Sequence, residues 1–303
     1  MNNENKIPNF LYNILLKEYG NDILNKIIEG YSVKRNVTLR VNTLKTSVKN
    51  IKEVLDSNNI KYSEVSWYKE ALVIEESDEN VIRSLPIYEN GEIYLQSLSS
   101  MFPVVVLEPK ENENILDMTA APGGKTTQIV AMSNGKALVT ACEKNKIRCD
   151  RLRYNIDKQG ATGVNVLMQD ARNLDNYFSF DKILLDAPCS GSGTLDLSDI
   201  KLEKRISKEL VDRSVKTQFE LLKKAIAVLK SGHEMIYSTC SILKEENEEN
   251  LNRILRDKNV EIVPIDGELF KYIPQLPTSI KGTICIMPCN LYEGFFVAKL
   301  RKK

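Results

Sequence analysis

Apolar residues in the first thirty positions recur at helical spacing. Over 8–30 (PNFLYNILLKEYGNDILNKIIEG) they predict two short helices broken at Gly20. The period then drops to two, and VTLRVN at 37–42 alternates as a strand. VKNIKEVLDSNN at 48–59 returns to an amphipathic helix, with Thr46 and Ser47 as candidate caps. EVSWYKEALVIEE at 64–76 reads as two strands about a polar turn. This β-α-β-β order over 35–76 predicts a small α+β module, and 91–109 (GEIYLQSLSSMFPVVVLEP) a link into the next domain.

From residue 114 strands and helices alternate. NILDM (114–118), KALVTACE (136–143), VNVLMQD (164–170), FDKILLDAP (180–188) and HEMIYSTCS (233–241) are the strands. Helices are expected to begin at GGKTT, over 144–160, 218–230 and 245–257. GTICIMP (282–288) and GFFVAKL (294–300) pair as an antiparallel hairpin. Repeated β-α units imply a doubly wound, mostly parallel sheet with helices on both faces. The expected organisation is helices at 1–34, a small α+β module at 35–100 and an α/β domain at 101–303.

Composition narrows the function classes. A 303-residue chain with 42% hydrophobic and 27% charged residues is ordinary for a soluble protein. No apolar run approaches the roughly 20 residues of a membrane span, and MNNENKIPNF lacks a signal-peptide core. A cytoplasmic location without membrane contact follows as the expectation. Six cysteines without a CxxC pair, beside the single His233, suit neither a disulfide framework nor a metal site. His233 is expected in a turn, and serine-triad chemistry has no other histidine to use. Net charge is only +1, but residues 1–50 carry eight Lys or Arg against four acids, which permits a local basic surface.

Ligands of such a sheet bind beyond the carboxyl ends of its strands. Three features fall there. DMTAAPGGKTT (117–127) makes a small-residue turn into a helix, where Gly123 and Gly124 admit close backbone approach. Glu143 closes the next strand, placed to accept from both hydroxyls of a ribose, and Asp170 closes the third, placed to meet an adenine amino group. A phosphate-binding P-loop would need glycine where Thr119 stands, and no G-x-G-x-x-G occurs. An adenosine-bearing cofactor fits these positions; the competing reading makes both acids plain helix caps.

Two cysteines follow two of the strands, Cys189 in LLDAPCSGSG and Cys240 in YSTCS, with Asp186 near the first. Alone, each is a small buried hydrophobe more often than a nucleophile. Together with DMTAAPGGKTTQI and YSTCSILKEENE they resemble the signature segments of the Fmu/Sun family of RNA (cytosine-5) methyltransferases. TLRVNTLKTS, IYLQSLSSM and EGFFVAKL are similar to other segments of that family, so the likeness runs over about 35–300. Glu143, Arg148, His233 and Glu293 stand where the family often has Asp, Lys, Gly and Asp.

The resemblance implies a Rossmann-like class I methyltransferase domain using S-adenosyl-L-methionine. It implies that Cys240 attacks cytosine C6, that Asp186 holds the N3/N4 edge, that Lys125 positions the base, and that Cys189 serves release. The implied cofactor shell is Thr119, Ala120, Ala121, Pro122, Gly123, Gly124, Lys125, Glu143, Arg148, Asp170 and Asp186. Arg40 and Lys45 are the expected RNA contacts, and the partner is ribosomal RNA ahead of transfer RNA. A monomer without metal is expected, and the chain's end at Lys303 leaves target selection to residues 1–100 and the catalytic face. The alternative is a non-catalytic RNA-binding assembly factor that retains the cofactor fold.

Overall fold

The computed structural model describes residues 7–199, 202, 206–268 and 270–303. The chain divides into two compact units, residues 36–184 and residues up to 35 together with 185–303. The small module therefore groups with the first half of the α/β domain, and the N-terminal helices group with the second half.

The first unit opens with β1 (Val37–Val41), the helix Val48–Ser57, β2 (Tyr62–Glu64), β3 (Ala71–Ile74) and β4 (Ile93–Leu95). They form an antiparallel sheet in the order β2-β3-β1-β4. Ser47 caps the helix as expected, its hydroxyl accepting from Asn50 N at 3.2 Å. Leu39 and Val41 pack with Ile51, Leu55, Leu72 and Ile74 in one buried cluster, which is the period-2 face of β1 meeting the apolar face of the helix.

The other face of β1 explains why the module belongs to this unit. Thr38 and Arg40 point away from that cluster, and Arg40 is 0% exposed. Its Nε donates to Gln96 Oε1 at 3.1 Å, and its Nη2 donates to Thr127 Oγ1 at 2.9 Å and to the Gly124 carbonyl at 3.4 Å. Burial pushes its pKa down, opposed by Tyr68, Tyr94 and Glu70. Arg40 has no surface with which to reach an RNA, and the expectation of a backbone contact fails for it. Lys45 is exposed, but its ammonium already donates to the carbonyls of Asn90 (2.8 Å) and Lys158 (2.7 Å).

The helix Leu98–Leu107 leads into β5 (Asn114–Asp117), the helix Gly124–Met132, β6 (Leu138–Cys142), the helix Lys146–Gln159, β7 (Val164–Leu167) and β8 (Phe180–Asp186). β5 pairs in parallel with β6 on one side and β8 on the other, and β6 with β7. The direction of winding thus reverses at β5, whose carboxyl end is the turn after Asp117.

In the second unit the helical span Asn9–Ser32 is broken at Gly20 (φ 75°, ψ 170°), where the pattern placed the break. The helix Lys208–Val228 begins ten residues before the apolar period becomes visible, with the Ser207 hydroxyl accepting from Leu210 N at 3.2 Å. β9 (Leu229–Thr239), the helix Glu248–Ile254, β10 (Val260–Val263), β11 (Gln275–Leu276), β12 (Ile284–Ile286) and β13 (Phe295–Lys302) complete it. β12 and β13 form the expected antiparallel pair, and β13 also pairs with β9 and β10. His233 lies inside β9 rather than in a turn. Among the described residues no helix is long and apolar enough to cross a membrane, and no group of three or more His, Cys, Asp or Glu is placed to hold a metal ion.

Glu18, on the first helix of this unit, accepts from Lys244 N at 3.2 Å. Burial raises its carboxyl to about 7, with Lys244 opposing. Below about pH 4.5 both folded and unfolded chains hold this proton; between there and 7 only the folded one does, so stability falls across that window. Glu18→Gln is expected to remove about 1–2 kcal/mol of that loss, once the remaining solvent contact is discounted. Urea unfolding at pH 4.5 and pH 8 checks this: the variant's gain appears at pH 8 only. Arg40→Ala is expected to cost about 3 kcal/mol of stability in the same assay, because it strands buried partners of the guanidinium.

Candidate active site

The turn after β5 is fixed from its own sequence. Asp117 is buried, accepts from Thr126 Oγ1 at 2.7 Å and receives the Thr119 N–H at 3.4 Å. Ala120 N donates to the Cys142 carbonyl at 2.9 Å, which brings the turn beside the end of β6. Gly123 starts the helix at φ 111°, a conformation open to glycine, and a Cβ there would lie 3.1 Å from Leu152 Cδ1. Arg148 Nη2 donates to the Ala121 carbonyl at 2.9 Å while its Nε lies 3.4 Å from Glu143 Oε2. Asn155 holds the Pro122 carbonyl at 2.8 Å. Lys125 Nζ donates to Ser100 Oγ at 2.7 Å.

Of the two acids, Asp170 makes the capping bond that competed with the cofactor reading, whereas the helix after Glu143 is capped by Asn145. Glu143 Oε1 accepts from Asn145 N at 2.8 Å, and Asp170 Oδ1 from Arg172 N at 3.0 Å. The Arg172 guanidinium also grips both Asp170 oxygens, at 3.1 and 2.7 Å, with Lys144 3.6 Å away. Those bonds, Arg172's side chain first, hold the Asp170 carboxyl down at about 2. It is thus an acceptor at any physiological pH. The residues together suit an adenosine-bearing ligand: two carboxylates at adjacent strand ends and a turn of small residues, ending in Gly123 and Gly124, at the winding reversal.

The second unit assembles the cysteines. β8 ends at Asp186 and β9 at Thr239, and the loops that follow bring Cys189 Sγ to 3.0 Å from Cys240 Sγ. The hydrogen bond with Cys240 and then burial push the Cys189 thiol well up. Ser238 Oγ donates to Asp186 Oδ1 at 2.8 Å.

A set of buried polar residues fixes both loops, and sequence reading assigned none of them a role. Glu246 accepts from Ser190 N at 2.8 Å, Ser190 Oγ at 2.5 Å and Gln218 Nε2 at 3.0 Å. Gln218 also donates to the Pro188 carbonyl at 3.0 Å. Ser192 Oγ lies 2.8 Å from Ser241 Oγ and accepts from Ile242 N at 3.0 Å. Asn247 joins the Thr239 hydroxyl (2.6 Å) to the Ser241 carbonyl (2.8 Å). Gly193 N donates to the Cys240 carbonyl, and a Cβ on Gly193 would lie 2.0 Å from the Gly294 carbonyl oxygen, so only glycine fits. The available signal was the density of Ser, Thr and Asn around both cysteines.

Comparison with known proteins agrees with this architecture. The family model described as 16S rRNA methyltransferase RsmB/F matches residues 104–301, and the RsmF/B-like ferredoxin-like domain matches 7–79. A mouse protein named 28S rRNA (cytosine-C(5))-methyltransferase is 33% identical over 97% of this chain and 38% of its own length. Ribosomal RNA small subunit methyltransferase F of Serratia proteamaculans is 37% identical over 88% of this chain and 56% of its own. The chain thus spans about two fifths to three fifths of these curated relatives. A methyltransferase homolog from Pyrococcus horikoshii superposes with TM-score 0.82 at 30% identity, covering 98% of this chain and all of the other. NSun6 from Pyrococcus horikoshii with SFG gives TM-score 0.87 at 25% identity and 98% coverage of both. The fold is the Rossmann-like class I methyltransferase fold with an N-terminal ferredoxin-like module, and the chain belongs to the RsmB/F family of 16S rRNA methyltransferases.

Proposed function

We propose that this protein methylates carbon 5 of cytosine in ribosomal RNA through a covalent bond from Cys240 to C6. The observation that carries the reading is the pair of cysteines 3.0 Å apart, each just beyond the end of a strand and both braced by buried polar residues. The names of the mouse and Serratia relatives support the ribosomal substrate over transfer RNA. A non-catalytic assembly factor would have no use for this pair.

Cytosine C5 is too weak a nucleophile to take a methyl group unaided. Addition of the Cys240 sulfur to C6 pushes electron density to C5, which then attacks an electrophilic methyl carbon. S-adenosyl-L-methionine supplies that methyl on a positively charged sulfur. Thr119, Ala120, Ala121, Pro122, Gly123 and Gly124 would give its amino-acid end backbone contact. Glu143 would take its ribose hydroxyls, with Arg148 steadying Glu143, and Asp170 would accept from the adenine amino group. Asp186, steadied by Ser238, would hold the N3/N4 edge of the base and border the cofactor, while Lys125 positions the base. After transfer the C5 proton leaves through water, C5=C6 re-forms and the C6–S bond breaks. Cys189, which keeps its proton beside Cys240, donates to the departing sulfur.

Two substitutions test these roles. Cys240→Ser is expected to lower transfer of labelled methyl to unmodified ribosomal RNA by more than about 1000-fold, with calorimetric cofactor affinity within about twofold of the parent. Retained turnover would sink the nucleophile assignment. Cys189→Ala is expected to trap protein joined to RNA, visible as a slow band in a denaturing gel. A variant that turns over freely without the band would remove Cys189 from release.

A further inference from the structure

A cavity of about 360 Å³ opens in the first unit, lined by Arg83, Tyr88, Tyr94, Pro122, Tyr154 and Gln159 among others. Pro122 belongs to the turn after β5, and Tyr94 stands 3.1 Å from where a Cβ on Gly124 would be, so the cavity adjoins the proposed cofactor turn. Its walls are aromatic and cationic together. Tyr154 is 61% exposed despite its large ring. Lys158 Nζ sits 4.1 Å from the Tyr88 ring centroid and 6.0 Å from that of Tyr154, and the Arg83 guanidinium 5.0 Å from Tyr88. Glu79 and Glu89 partly balance these charges, pairing with Arg83 and Lys158.

An independent observation asks for a ligand. Gln159, 2% exposed, lines this cavity; its Nε2 donates to the Ile93 carbonyl at 3.1 Å, but its Oε1 is buried with no hydrogen-bond partner. A buried acceptor left unmatched costs free energy that a donor on a ligand recovers. An exposed aromatic face, cations for a phosphate and one acceptor for an N–H edge are what an unpaired nucleotide engages.

We propose that the Tyr88–Tyr154–Gln159 cavity binds an unpaired nucleobase of the RNA strand. The proposal rests on the RNA methyltransferase reading for its biological substrate. The base stacks on Tyr154, an N–H of its edge reaches Gln159 Oε1, and Lys158 and Arg83 face the adjoining phosphates. Every base carries a π face and an N–H donor, so the subsite tolerates sequence and selects for unpaired strand.

The probe is a fluorescein-labelled dodecamer of adenylate, read by anisotropy on the full chain. It contains no cytosine, so its binding is measured whether or not the methylation reading survives. Tyr154→Ala, at an exposed position, is expected to weaken binding about 10-fold, while Tyr154→Phe, which keeps the ring, stays within about twofold. Hybridising the dodecamer to its complement is expected to abolish the difference between parent and Tyr154→Ala. Equal affinity of parent and Tyr154→Ala for the single strand would overturn the proposal. So would a loss in Tyr154→Phe as large as in Tyr154→Ala, or an undiminished difference on the duplex.

Discussion

A carboxylate without solvent contact has to find its hydrogen bonds inside the protein or lose several kcal/mol of solvation. Glu246 is such a group, 0% exposed, and it recovers that solvation from Ser190 N, Ser190 Oγ and Gln218 Nε2. Gln218 in turn holds the Pro188 carbonyl and accepts from Asn250. The loop carrying Cys189 is thereby tied to the segment following Cys240 through one buried side chain. The sulfur–sulfur approach of 3.0 Å is a consequence of that tie. Tyr19 and Tyr31 reinforce it, donating at 2.5 Å to the Ile242 and Ser192 carbonyls.

The same constraint encloses Cys189 against Cys240. Cys189 is hydrogen-bonded and enclosed, and both effects favour the neutral thiol. A thiol that keeps its proton donates well to a neighbouring sulfur and attacks poorly.

The alternation of strands and helices was legible because apolar period and turn residues agreed, down to the break at Gly20. Legibility failed where polar residues are internal. Glu246 sits within 245–257, a stretch that reads as helix surface, whereas the helix begins at Glu248 and Glu246 is part of the turn before it. The start of Lys208–Val228 was hidden because its first turns are mostly polar. β10 and β11 are four and two residues long, too short for a period to declare itself. The strand-end positions of Glu143 and Asp170 were legible from the sequence, yet the Arg172 clamp on Asp170 was not.

Arg40 is the instructive failure. A cation on a strand is read as solvent-facing because charged residues are rarely fully buried. Here both faces of β1 are covered, one by the module's own helix and the other by the helix Gly124–Met132, so alternation places Arg40 indoors. Asn42 and Lys45 are spent similarly: Asn42 Nδ2 bridges the carbonyls of Gly91 and Gln159 at 2.8 and 2.7 Å, and Lys45 those of Asn90 and Lys158. Both reach the carboxyl end of Lys146–Gln159, where partial negative charge accumulates and donors are welcome. The cations that looked available for RNA are therefore the fasteners that join the ferredoxin-like module to the helix after β5 and the helix Lys146–Gln159. Arg83 and Lys158, by contrast, stand among aromatic rings that a fastener would not need.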